Sequence, residues 1–222
     1  MIVFIIAMKS EAVCVLDNMK IESEREVHDR EVYFGELCGE KCAVLISGVG
    51  KVNAAASTQY AIDCLKADAI INIGVAGGLN AGTGIAEVYS IVECVQYDFD
   101  LADINDTDIG TLNEYDEPYL PVEVAGNYPK RRLATADRFN DNYEDYELLT
   151  ESLTADIRDM EGGAIAHVCL RAGIPCYIFK AISDVAELGS TGEQFVHNLA
   201  LCADKLRGEM RAIFTAVKES LQ

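Results

Sequence analysis

Short apolar runs bounded by Gly, Asp or Ser recur at residues 2–8, 42–47, 69–73, 88–95 and 176–183, and each reads as a buried strand. Between them lie stretches of helical spacing. In residues 51–65, Val52, Ala55, Ala56, Tyr60 and Cys64 fall roughly a turn apart, and residues 161–171 and 192–221 continue the theme. Strands that alternate with helices predict an α/β fold with a largely parallel sheet. Residues 25–37, followed by Gly39 and the run at 42–47, read instead as a meander joined by a tight turn, so the sheet is mixed. The expected architecture is a three-layer sandwich in which helices flank a central mixed β-sheet. From residue 98 to 129 the pattern dissolves into an acidic stretch containing Tyr and Pro, and a loop of that length in a compact domain is functional or mobile.

With 222 residues, half of them hydrophobic, the chain can bury one substantial core and is short for two, so a single domain over 1–222 is expected. A formal charge of -19 without any Lys/Arg-rich block argues against nucleic acid or an anionic membrane as partner. The opening run meets Lys9 and Glu11 at once, which suits a strand and lacks the anatomy of a membrane span or signal peptide. The eight cysteines are scattered, no Cys-x-x-Cys occurs, and His28, His167 and His197 stand far apart, so neither a metal site nor a redox motif is signalled. Reduced, buried thiols in a cytoplasmic protein that needs no metal and no cofactor are the expectation.

In open α/β sheets ligands bind beyond the carboxyl ends of the strands, so the residues just after each apolar run are the candidates for chemistry. Glu11 comes after the first. Gly74-Val75-Ala76-Gly77-Gly78 comes after the run at 69–73, and Ser183-Asp184 closes the last. Glu161 opens a helix whose Ala164, Ile165, Val168 and Cys169 form an apolar stripe, which turns this carboxylate inward. Each has a structural alternative: Glu11 and Glu161 as first-turn complements of a helix dipole, Asp184 as a cap or turn residue, the glycines as a sharp turn. Convergence favours chemistry, because several carboxylates and a Gly-rich backbone patch at one sheet edge are costly as structure alone. The string Gly48-Val49-Gly50-Lys51 satisfies neither the dinucleotide fingerprint nor the Walker spacing, and no serine sits in a Gly-x-Ser-x-Gly elbow. His167 reads as a hydrogen-bonded structural residue.

Five ordered segments then resemble the methylthioadenosine/S-adenosylhomocysteine nucleosidases of the nucleoside phosphorylase superfamily: residues 5–11, 47–55, 72–79, 159–164 and 180–184. Ala136-Asp137-Arg138-Phe139 is similar to that family's Gly-Asp-x-Phe segment. The resemblance implies a nucleoside phosphorylase-like fold and hydrolysis of the N-glycosidic bond of methylthioadenosine or S-adenosylhomocysteine, by a homodimer that uses no metal. By the same resemblance Glu11 is the general base for water, Glu161 holds the ribose hydroxyls and the emerging cationic sugar, and Asp184 protonates the imidazole nitrogen of the leaving purine. Phe139 stacks on the base and Asn140 meets it through its backbone. Met160 lines the ribose pocket, Ser183 orients Asp184, and Ala76 and Gly77 border the substrate. Lys180, also counted among the substrate-binding residues, stands where the family has Arg, and Val75 lies near a family Ser or Thr. The stretch 116–132 is shorter than the family's and lacks its amphipathic helix. A phosphorolytic purine nucleoside or uridine phosphorylase and a nucleoside-binding protein without turnover are the competing readings.

Overall fold

The apolar runs are strands and the helical stretches helices in the computed structural model, which describes residues 1–139 and 142–222. In chain order the elements are β1 (Ile2–Ile6), α1 (Lys9–Leu16), β2 (Lys20–Val27), β3 (Arg30–Leu37), β4 (Glu40–Ile46), α2 (Lys51–Asp63), β5 (Ala69–Gly78), β6 (Val88–Gln96), α3 (Ala102–Asn105), β7 (Leu120–Pro121), β8 (Lys130–Thr135), α4 (Tyr143–Glu147), β9 (Ile157–Asp159), α5 (Gly162–Ala172), β10 (Cys176–Val185) and α6 (Thr191–Ser220).

At the centre β1 runs parallel to both β4 and β5, with Phe4 level with Val44 on one side and Ile71 on the other. These strands are apolar along their length because both faces are covered. Phe4, Ile6, Val44, Ile71 and Phe179 meet Leu206, Met210, Ile213 and Phe214 of α6, while the alternate residues Val3, Ile5, Leu45, Ile70 and Ile178 meet Ala54 and Ala61 of α2 and Ile165 and Cys169 of α5. The period-2 alternation of a strand thus sorts one apolar run into two cores, giving helix, sheet and helix layers. The meander is present as β2, β3 and β4 in antiparallel pairing. It starts earlier than its apolar signal, since β2 is an edge strand exposed nearly throughout and carries little apolar alternation.

On the other side of β5 the sheet curls. β5 pairs with β10 in parallel and with β9 antiparallel, β10 pairs with β6, β6 with β8, and β8 with β9, so these strands close a ring. Two of its members, Lys-Arg-Arg-led β8 and three-residue β9, carry too little apolar pattern to announce themselves. The long acidic stretch holds α3 and β7 and is otherwise irregular. β5 continues through Gly74–Gly78, past the end of the apolar run at Ile73, and β10 continues through Ser183 and Asp184.

Candidate active site

The end of β1 passes through Ala7 and Met8 into α1, and Glu11 falls in its first turn. There its Oε2 accepts a hydrogen bond from the Met8 N–H (3.1 Å), as in a capping box, and its Oε1 accepts one from the Val75 N–H (2.8 Å). The helix-capping and the site-forming readings of Glu11 therefore coexist. It is 4% exposed. Burial raises its carboxyl above the ordinary range, opposed by Lys180 and the two backbone N–H groups.

Asp184 is aimed by an irregularity. In the β10–β5 pairing Ile182 faces Ala76 and Asp184 faces Gly77, so Ser183 is an extra residue, and such a bulge re-directs the side chains beside it. The Ser183 hydroxyl donates to Asp184 Oδ1 at 2.7 Å, and the Ser183 carbonyl accepts from Asn198 Nδ2 of α6 at 2.9 Å. A β-carbon at residue 77 would lie 2.7 Å from Asp184 Oδ2 and 3.3 Å from Arg158 Nε, which explains a glycine inside a strand.

Glu161 occupies the N-cap position of α5 without capping it through its side chain, and its Oε1 accepts from the Gly50 N–H at 2.8 Å. Gly50 takes a positive φ of 99° to present that N–H, so the rejected Gly-x-Gly-Lys string serves to anchor a carboxylate. Burial first and Asp159 second push Glu161 up to about 7. Asp159, two residues earlier, forms an ion pair with Lys180 at 2.8 Å. Burial works against the Lys180 ammonium, but Asp159, Glu161 and Glu11 hold it above its usual range.

These groups meet around a cavity of about 230 Å³ lined by Glu11, Glu161, Asp184 and Ser183, by Ala76 and Gly77 of β5, and by Met8, Val49, Met160 and Phe139. Lys180 does not line it, being 2% exposed and standing behind the wall. Asn140 lies outside the described residues. Wall residues that the sequence reading does not single out include Arg158 and Asp159 of β9 and Phe195 of α6. Phe195 packs edge-on to Phe139 with ring centroids 5.5 Å apart, making an aromatic flank. A larger hollow of about 610 Å³ opens beside Arg132 and Tyr119, lined also by Glu93, Asp108 and Glu117, and Arg132 is engaged there by Glu93 at 2.6 Å.

Gly74, beside Glu11, and Gly77, beside Asp184, stand three residues apart on β5, a rise of roughly 10 Å. A carboxylate at each end, a third in the same wall and an aromatic flank suit a ligand with a cation-forming centre next to a flat, protonatable ring. A dianion would meet Glu11 at the first end and Glu161 in the same wall, with the nearby ammonium already paired to Asp159.

A profile of the phosphorylase superfamily matches residues 1–217. The 5'-methylthioadenosine/S-adenosylhomocysteine nucleosidase of Halalkalibacterium halodurans is 31% identical over 193 residues, which cover 81% of this chain and 83% of that protein. Its Arabidopsis thaliana counterpart of the same name is 30% identical over 223 residues, covering 92% and 87%. Among solved structures, the Helicobacter pylori 5'-methylthioadenosine/S-adenosyl homocysteine nucleosidase shares the fold with a TM-score of 0.88 at 23% identity, over 96% of this chain and 97% of that one.

Proposed function

The chain belongs to the phosphorylase superfamily and, within it, to the methylthioadenosine/S-adenosylhomocysteine nucleosidase family, and we propose that it hydrolyses the N-glycosidic bond of methylthioadenosine, S-adenosylhomocysteine or both. The observation that carries this reading is the placement of Glu11 and Asp184 at opposite ends of one cavity, along the ruler of β5, with Glu161 in the same wall. Glu11 takes a proton from water as the water oxygen bonds to the anomeric carbon. Glu161 offsets the positive charge that grows on the sugar, and Asp184 delivers a proton to the imidazole nitrogen as the bond to the purine breaks. Ser183 steadies Asp184 through its 2.7 Å hydrogen bond. Phe139, with Phe195, flanks the base, while Met160, Ala76 and Gly77 border the nucleoside and Lys180 acts from behind the wall.

Water is the nucleophile in this proposal because phosphate needs arginines or a nest of N–H groups, and the end of the cavity beside Glu11 offers a carboxylate instead. The full chain acts as one catalytic domain, as a homodimer in the cytoplasm that serves methionine salvage. Val52 of α2, 78% exposed, and Val49 at the cavity rim supply an apolar surface for a second copy. All eight cysteines are unpaired, which suits a reducing compartment. Among the described residues, no helix is long and apolar enough to cross a membrane.

The test is incubation with methylthioadenosine, S-adenosylhomocysteine, adenosine and inosine, each with and without phosphate. Free adenine and free thiosugar should form at the same rate in phosphate-free buffer. A sugar 1-phosphate that accumulates only when phosphate is present would overturn hydrolysis in favour of phosphorolysis.

A further inference from the structure

Asp159 and Lys180 form a buried ion pair at 2.8 Å, each side chain 2% exposed, and no step of the proposed reaction consumes it. Burying such a pair is costly, so its placement asks for a reason. That placement is tightly determined. Asp159 Oδ1 accepts from the Thr135 hydroxyl at 2.6 Å, and its Oδ2 accepts from the Gly162 N–H at 2.9 Å, at the start of the helix whose N-cap position Glu161 occupies. Lys180 stands level with Gly74 in the β10–β5 pairing, the residue whose missing side chain admits Glu11. One ammonium thus pairs with Asp159 and lies within electrostatic reach of two further buried carboxylates, Glu11 and Glu161. With all of them ionised the cluster is short of positive charge, and the geometry decides which carboxylate receives it.

We infer that Asp159 is a positioning residue which, by holding Lys180 behind the cavity, divides the ammonium's charge between itself and the two glutamates and so sets how readily Glu11 and Glu161 ionise. The inference rests on the proposed reaction, in which both glutamates work as carboxylates. Lys180 favours the ionised form of each, and Asp159 disfavours it. Near the cluster stand Cys94 of β6, beside Asp159 and Lys180, and Cys14 of α1, beside Glu11, while Arg158 and Asp184 line the same cavity. Burial holds both thiols neutral, Cys14 at about 12, so they add no charge in the working range.

The consequence is a pair of opposite shifts. Asp159→Asn should move the acidic limb of the pH profile of kcat/KM to lower pH, and Lys180→Met should move it to higher pH, each by roughly one unit. Lys180→Arg should stay near the parent, and the double variant Asp159→Asn/Lys180→Met should return towards it, because the two effects have opposite sign. A purely structural pair would lower Tm or kcat/KM and leave the limb where it is. That result in either single variant that folds overturns the inference, and where only one folds it decides alone. A parent protein that releases no purine would defeat the proposed function without touching the pair. The titrations of Glu11 and Glu161, followed by NMR on protein with isotope-labelled glutamate, must then show the same opposite shifts.

Discussion

A β-carbon at residue 74 would lie 2.5 Å from Oε1 of Glu11, so the carboxylate occupies the volume that any side chain on Gly74 would claim. The glutamate has little room to retreat, since its two oxygens are held by the N–H groups of Val75 and Met8. Glycine in the middle of a buried strand is unfavourable by roughly 0.5–1 kcal/mol, and here it is the condition for a carboxylate to reach the sheet.

Gly74→Ala is therefore expected to fold yet to displace Glu11. A misplacement near 1 Å can cost about 100-fold in rate, so kcat should fall by roughly that factor while Tm, followed by circular dichroism, drops by only about 5 °C. Activity within a few-fold of the parent would show that Glu11 needs no such close seat.

Asp184→Asn keeps the shape of the side chain but cannot supply the proton. Turnover of adenine nucleosides should fall by about 100- to 10,000-fold with the fold intact. Steady-state release of adenine is the measurement, and near-parental rates would remove Asp184 from the reaction.

Glu161 offers a test by stability. Its folded value, about 7, stands above the ordinary 4.5, so the folded protein holds this proton more tightly than the unfolded chain. The resulting stabilisation is complete below the unfolded value and is lost as pH rises through the folded one. Glu161→Gln should match the parent near pH ~4.5 and exceed it at pH ~8, by on the order of 2 kcal/mol. Denaturant unfolding at the two pH values decides, and a gap that does not widen with pH would contradict the assignment.

For the dimer, Val52→Arg places a charge at a valine that is 78% exposed at the start of α2. Light scattering should report a dimer for the parent and a monomer for the variant, with KM raised if the second copy helps to complete the pocket. A parent that is monomeric and fully active would end the dimer proposal.

Much of this protein was legible in its residues one stretch at a time. The apolar runs at 2–8, 42–47, 69–73, 88–95 and 176–183 marked strands because a sheet covered on both faces needs continuous apolar sequence. Glu11, Glu161 and Asp184 stood out because carboxylates beside such runs are costly unless something uses them. Other features had no local signature. β8, β9 and the ring they close depend on pairings between distant segments, and β2 is too exposed to show a pattern. The purpose of Gly74 and Gly77 was not legible, since nothing local distinguishes a glycine that bends the chain from one that makes room for a carboxylate arriving from α1 or β10. Arg158 and Phe195 reach the cavity from β9 and α6, and Lys180 lies behind the wall, paired with Asp159. Local composition determined which segments could be strand, helix or chemistry, because propensity and burial act over a few residues. Which side chains share one cavity, and which charge faces which, was decided only by tertiary packing, because Coulomb and steric terms depend on distance in space and not on separation along the chain.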